Sequence, residues 1–372
     1  MKWTTAMPGL EWADMLSPLS AGALLGAAAM LLAFVAVLFI GSLVLPGRRF
    51  ELTDGDNASR TCKLNGLALF LATLAAAGVA QFAGWFSLSV LHAYFVPLLV
   101  VANLFAFALS GWLYWQGAGA QGAPAGFWRG FFFGRTLNPA WLGMDLKFYS
   151  YRPSLIGLAL FNLSFAAVQY ETYGELTLAM MLYQIFTLLY VLNYFQFEYG
   201  MIHTWDIVSE RFGWMLTWGN FVLVPFFYCI AGWWLVHAPD TLSPTAAALL
   251  AALFAFGFWL FRGANEQKHR FRQNPNITIW GRPAETLEGR LLVSGFWGIG
   301  RHLNYTGEIC IYVAFMLTTG FESWVPWLLP LWLTGLLWHR SRRDDRRCHA
   351  KYGALWEQYR QRARFSMLPY IY

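Results

Sequence analysis

The residues of this chain best suited to chemistry crowd into its last third. Lys268, Arg270 and Arg272 alternate with other residues and run into Asn274-Pro275. Arg301-His302-Leu303-Asn304-Tyr305 packs a cation, an imidazole, an amide and a phenol at the mouth of an apolar stretch. Arg340 and Asp344 stand four apart, so on a helix they share one face. Lys351-Tyr352-Gly353, Trp356 and Tyr359 set aromatic faces beside charge. Arg forks bind phosphate bidentately, and aromatic faces stack on planar rings. Together these residue types suit a dinucleotide. Gly295-Phe296-Trp297-Gly298-Ile299-Gly300 is Gly-rich but lacks G-x-G-x-x-G spacing, so any nucleotide site here is something other than a Rossmann domain.

The elements that position these residues are lipid-soluble. The chain is 58% hydrophobic, 19% aromatic and only 12% charged, where soluble domains run near a quarter charged. A soluble protein of 372 residues cannot hide this much apolar surface, so a bilayer must solvate it. The four cysteines, Cys62, Cys229, Cys310 and Cys348, show no C-x-x-C spacing, which predicts reduced structural thiols with no disulfide framework and no metal site. Residues 1–18 lack a charged stretch followed by a small-residue cleavage site, so no cleaved signal peptide is expected. No nucleic-acid partner is expected, and the oligomeric state cannot be read from the sequence.

At about 20 apolar residues per crossing, nine spans are predicted. They are Ser20–Leu45, Asn65–Phe86, Ala93–Trp115, Ser154–Tyr170, Leu176–Phe197, Trp218–Val236, Thr245–Phe261, Ile309–Gly320 and Trp324–Trp338. The last two are short and read as a tight helical hairpin or one broken span. Leu176–Phe197 is interrupted by Gln184, Tyr190, Asn193, Tyr194 and Gln196, which should face a cavity or other helices. Sixteen of the 26 Lys and Arg residues lie between Arg262 and Arg364. Short loops rich in Lys and Arg stay in the cytoplasm, so both C-terminal basic stretches are expected there. On topology alone these cations need do nothing more.

Longer motifs carry a resemblance. Leu291-Leu292-Val293-Ser294-Gly295-Phe296-Trp297-Gly298, followed by Arg301-His302-x-Asn304-Tyr305-x-Gly307, resembles the sterol reductase family. That family includes the delta-14 sterol reductases, 7-dehydrocholesterol reductase, the fungal delta-24(28) enzyme and the membrane domain of lamin B receptor. The ending His339-Arg340-x-x-Arg343-Asp344-x-x-x-Cys348-x-x-Lys351-Tyr352-Gly353-x-x-Trp356-x-x-Tyr359 is similar to that family's C-terminus, as is Pro369-Tyr370-Ile371-Tyr372. Leu137-Asn138-Pro139, Asp145-Leu146-Lys147, Thr204-Trp205-Asp206-Ile207, Phe212-Gly213-Trp214 and Arg262-Gly263-Ala264-Asn265-x-Gln267-Lys268 agree in order. The resemblance runs from about Asn65 to Tyr372.

The resemblance implies an all-α polytopic membrane bundle of nine to ten helices with an NADPH pocket on the cytosolic side of its C-terminal half. It implies one membrane domain over residues 1–372. Helices of 20–261 would form much of the substrate pocket, and 262–372 would bind the cofactor. The cofactor residues it implies are Lys268, Arg272, Leu292, Trp297, His302, Asn304, Arg340, Asp344 and Tyr352. Lys268 and Arg272 would take the 2′-phosphate or pyrophosphate, Trp297 would stack, and Arg340 with Asp344 would hold a ribose or the carboxamide. The implied reaction is reduction of a carbon–carbon double bond in a sterol or sterol-like lipid. Hydride cannot add to an unpolarised alkene, so an acid must protonate one carbon first. Tyr190 lies where the family places a tyrosine near that bond, and Glu198 and Asp206 sit at a span end, so these three are the candidate catalytic residues.

The chain departs from the family pattern at Ala140, Asn193, Tyr199, Asn220 and Leu303. The cofactor half keeps the pattern better than the substrate half, and few carboxylates remain to deliver a proton. Isoprenylcysteine carboxyl methyltransferases share a related C-terminal pattern. A membrane methyltransferase using S-adenosylmethionine and a non-catalytic sterol-binding protein therefore stand as alternatives, separable by which cofactor binds. The expected location is a bacterial inner membrane or the endoplasmic reticulum, with the C-terminus cytosolic. Single cysteines introduced at Gln273 and Gln361 should label only from the cytosolic side; labelling from opposite sides would break the hairpin assignment.

Overall fold

The computed structural model describes residues 19–53, 59–120, 122–202, 204–238 and 242–367. Residues 1–18 and Pro369-Tyr370-Ile371-Tyr372, on which two expectations rest, lie outside them. The chain divides into two compact units, one within residues 19–238 and one within 242–367. The boundary falls near residue 240, and helix Pro244–Gln273 runs unbroken through the expected division at 261.

The architecture is mostly helical, with four two-stranded hairpins. In the first unit α1 spans Ala21–Val44, and a hairpin pairs β1 (Arg48–Thr53) with β2 (Ser59–Leu64). Next come α2 (Gly66–Phe82), α3 (Phe95–Gln116), α4 (Leu146–Tyr173), α5 (Leu178–Gln196) and the composite helix α6 (Trp214–Leu235). Among the described residues six helices are long and apolar enough to cross a membrane: α1, α3, α4, α5, α6 and Pro244–Gln273, here α7. With that many spans the protein is an integral, multi-pass membrane protein. The expected span Asn65–Phe86 is the shorter α2, and Ile309–Gly320 is part of α8 (Leu303–Leu317). Trp324–Trp338 lies only in part in α9, which starts at Leu328 and continues to Tyr352.

Three boundaries differ from the hydropathy reading for physical reasons. α4 starts eight residues before Ser154 because Lys147 and Arg152 are buried with partners. α6 contains a π-helical stretch, Gly219–Phe227, around Pro225, a proline that lacks the N–H an α-helix would use. In α9 the basic stretch 340–351 is continuous helix, since Lys and Arg are good helix formers.

Charge is partitioned by loop. In the first unit, loops 83–94 and 174–177 contain no Lys or Arg, whereas loops 45–65, 117–145 and 197–213 hold Arg48, Arg49, Lys63, Arg129, Arg135 and Arg211. In the second unit the turn 318–327 has none, whereas 274–302 and the stretch from 339 onward are rich in them.

Polar clamps hold the first unit. Lys147 is fully buried and donates to the carbonyls of Ile207 and Glu210, both at 2.7 Å. Arg152, 2% exposed, pairs with Glu198 at 3.1 Å and donates to the Lys63 carbonyl at 2.6 Å. Glu198 also accepts from the Gly66 amide at 2.9 Å. In the second unit α7 and α8 pack face to face through reciprocal glycines. A Cβ on Gly307 would stand 2.5 Å from the Phe261 nitrogen, and one on Gly257 would stand 2.8 Å from Cys310 Cβ. Small residues allow such close helix approach in membranes.

Removing one partner of a buried ion pair strands the other charge, at about 3–5 kcal/mol. Arg152→Ala should therefore lower the detergent-solubilised melting temperature sharply, and Arg152→Met with Glu198→Leu should recover much of the loss. An unchanged melting temperature for Arg152→Ala would show that the clamp does not hold this unit.

Candidate cofactor and catalytic sites

The second unit gathers most of the expected cofactor residues around Lys268 and Trp297. α7 carries Lys268 and Arg272 in its last turns. Trp297 follows a turn at Gly295, whose φ of 62° and tight fit against Gln267 and Ile279 demand glycine. The Gln267 side chain accepts from the Phe296 amide at 2.9 Å, and the Trp297 indole donates to the Ala264 carbonyl at 2.8 Å. Trp297 is buried with Phe271, Ile279 and Leu292. Its ring face is covered by the Lys268 ammonium, 4.4 Å from the centroid. Within this chain, then, Trp297 is the platform beneath Lys268.

α10 (Ala354–Arg362) and the segment after it fix the other side. The Tyr359 hydroxyl donates to the Trp297 carbonyl at 3.0 Å. Residues 363–367 run along 300–306. The Arg301 amide donates to the Phe365 carbonyl at 3.0 Å, the His302 amide to Ser366 at 2.7 Å and the Thr306 hydroxyl to Met367 at 2.5 Å. The Arg301 guanidinium donates to the Ala363 and Arg364 carbonyls at 2.7 and 3.1 Å and faces Asp345 at 3.5 Å. Asp345 also accepts from the Trp356 indole at 3.2 Å.

Among the described residues, the buried His302 Nε2 and Asn304 Oδ1 have no hydrogen-bond partner. The His302 ring stacks on Tyr305 at 5.0 Å, and Asn304 donates to the Asn265 side chain at 3.2 Å. Burial, then the charges of Lys268 and Arg301, push the imidazole down to about 3, so it is neutral near pH 7. Arg272, Asp344 and Arg347 act electrostatically on Lys268, which joins α9 to the cluster. Burial and the neighbouring Asp344 push the Cys348 thiol up to about 11. Arg340 and Asp344 are half-buried on one face of α9. Tyr352 packs with Val293, Trp356 and Tyr359; it stacks on Trp356 at 6.4 Å and carries Arg290 over its ring at 5.3 Å.

The fit to a dinucleotide phosphate rests on Lys268 and Arg272 as cations. The open His302 Nε2 and the acceptor Asn304 Oδ1 suit the polar hydrogens of a ribose or carboxamide, and rings line the wall. Sequence reasoning left Arg301, Asp345 and Asn265 out of the set. Arg301 stood beside His302 in the quoted motif, but nothing in its spacing marked it as buried. Among the described residues no group of three or more His, Cys, Asp or Glu is placed to share a metal ion.

The three candidate catalytic residues lie in the first unit with separate partners. Tyr190, 4% exposed, donates to the Tyr194 hydroxyl at 3.2 Å. Tyr190, Asn193 and Tyr194 share one face of α5, and the buried Asn193 Oδ1 has no hydrogen-bond partner among the described residues. Glu198 is committed to Arg152 and Gly66; burial pushes its carboxyl up, and Arg152 opposes that shift. Asp206 accepts from the Tyr151 hydroxyl at 3.3 Å. The buried Arg152 that pairs with Glu198 was not marked by the sequence, because a lone arginine before Pro153 reads as the end of an apolar run.

Residues 25–372 match the ergosterol biosynthesis ERG4/ERG24 family. A Delta(14)-sterol reductase of Methylotuvimicrobium alcaliphilum is 40% identical over 333 residues, 87% of this chain and 77% of that protein. One of Arabidopsis thaliana is 36% identical over 92% of this chain and 95% of that protein. A 7-dehydrocholesterol reductase of Xenopus laevis is 34% identical over 77% of this chain and 65% of that protein. A match over nearly the whole chain, with relatives this similar, makes the protein a member of the ergosterol biosynthesis ERG4/ERG24 family of sterol reductases.

Proposed function

We propose that this protein reduces a carbon–carbon double bond of a sterol or sterol-like lipid with NADPH, by protonation followed by hydride transfer. The observation that carries the reading is the pair of unanswered buried atoms, His302 Nε2 and Asn304 Oδ1, beside Lys268 and Arg301. A buried polar atom without a partner costs about 1–3 kcal/mol, and a polar ligand would relieve that. The relatives' names supply the substrate class.

When bound, NADPH supplies the hydride. Lys268 and Arg272 bind its phosphates, with Trp297 and Leu292 as the wall behind them. His302 and Asn304 orient it through their open atoms. Arg340 and Asp344 hold a ribose or the carboxamide, and Tyr352 offers a ring face. Tyr190 gives the proton once its hydroxyl turns from Tyr194 to the substrate, and the Tyr194 hydroxyl, turned in its place, donates to the Tyr190 oxygen and returns the proton. Protonation leaves a tertiary carbocation on the substrate, which aromatic faces tolerate. Glu198, held by Arg152 and Gly66, and Asp206, held by Tyr151, are the remaining candidate acids of this unit. The cation-bearing loops of each unit face the cytosol, including the C-terminal stretch, because loops rich in Lys and Arg are retained there.

Arg272→Ala should raise KM for NADPH by roughly tenfold, the scale of one lost charged hydrogen bond, while NADH use barely changes. Equal affinity of the wild type for both cofactors, measured by tryptophan quenching, would sink the phosphate assignment. Tyr190→Phe keeps the ring but loses the proton, so turnover should fall by about 10²-fold or more with NADPH binding intact. If Tyr190→Phe turns over normally while Asp206→Asn does not, the proton comes from a carboxylate.

A further inference from the structure

A cavity of about 260 Å³ opens in the first unit at the C-terminal end of α1, far in sequence from the residues assigned to the cofactor. Its lining includes Ser42, Arg49, Lys63, Asp145 and Arg152, and none of these is assigned to the reaction.

The polar inventory favours an anion. Three cations line the cavity with one acid, and Glu198 stands behind Arg152, so one positive charge remains in excess. Asp145 Oδ1 is occupied in capping α4, where it accepts from the Phe148 amide at 2.8 Å. Arg152 spends Nε and Nη2 on Glu198 and the Lys63 carbonyl, which leaves Nη1 for a ligand. Lys63 gives the Leu43 carbonyl one of its three ammonium hydrogens, at 2.8 Å. The Ser42 hydroxyl, in the last turn of α1, is fully buried and has no hydrogen-bond partner among the described residues. A hydroxyl and guanidinium and ammonium donors around one small cavity are the donor set of a phosphate.

The rim favours a lipid as the source of that phosphate. α1 is a membrane-spanning helix whose outer face shows Ile40, Leu43 and Val44. The Trp141-Leu142 turn, next to Gly143 and Met144 in the cavity wall, exposes half of Trp141 and two thirds of Leu142. Trp141 also packs on Phe39 of α1, with ring centroids 5.2 Å apart. An exposed Trp beside a basic cavity at a span end is the arrangement expected at the level of lipid headgroups. We propose that this cavity holds the phosphate of an anionic glycerophospholipid whose acyl chains lie along the outer face of α1. The excess positive charge disfavours a choline headgroup, which carries its own cation.

Native mass spectrometry of the full chain in detergent tests this, with phosphatidylglycerol, phosphatidylcholine and inorganic phosphate as separate additions. Phosphatidylglycerol should be retained at least tenfold better than phosphatidylcholine. Arg49→Ala with Lys63→Ala should weaken that retention roughly 25-fold, about fivefold per cation. Ser42→Ala should weaken it several-fold, and this variant decides the matter if the double variant melts early. Equal retention of the two lipids overturns the proposal, as does full retention by a folded double variant. Displacement of phosphatidylglycerol by millimolar inorganic phosphate would assign the cavity to the free ion and overturn the lipid.

Discussion

Burying a charge away from water costs several kcal/mol unless a partner answers it, and in a chain this apolar that constraint decides where polar residues can go. Lys147 is answered by two carbonyls, and Arg152 by Glu198 and a carbonyl. Arg301 is answered by two carbonyls and Asp345. Each of these bonds joins segments distant in sequence, so each charge also acts as a clamp. Arg152 ties α4 to the end of β2 and to Glu198, two residues past α5; Arg301 ties the start of α8 to the strand-like 363–367.

Seen this way, the cluster around Lys268 differs from the clamps. The ammonium rests on an aromatic face, Arg272 and Arg347 lie within reach, and Asp344 is the acid that acts on it. Beside it, His302 is held neutral and keeps a buried nitrogen unanswered. The clamps are satisfied within the chain, whereas this group is rigidly held and polar but lacks part of its complement. A held, incomplete donor set is what recognition of a charged cofactor requires, since little remains to be ordered on binding.

Much of this was legible in the sequence. Among the described residues six of the nine apolar runs fell on helices long and apolar enough to cross a membrane, because hydropathy directly reports what a bilayer must solvate, and the other three fell on or across shorter or more polar helices. The order of motifs carried the family. The starts of α4 and α8 were not legible, since Lys147, Arg152 and His302 look polar until their partners, 46 or more residues away, are known. Trp297 was expected as a stacking ring, and the fold seats Lys268 on its face. Glu198 read as a free acid at a span end, whereas both its oxygens are engaged. Side-chain pairing over such separations leaves no periodic trace in a single sequence.

The central claim is that cofactor and protein deliver two different hydrogens to one double bond. The direct test incubates the purified protein with NADPH deuterated at the transferring position and a panel of ring-unsaturated sterols, read by mass spectrometry. The account predicts a reduced sterol carrying one deuterium from the cofactor. Repeating the reaction with unlabelled NADPH in heavy water should place one deuterium from solvent at the neighbouring carbon. A product with no cofactor deuterium, or a methylated product formed only with S-adenosylmethionine, would contradict it.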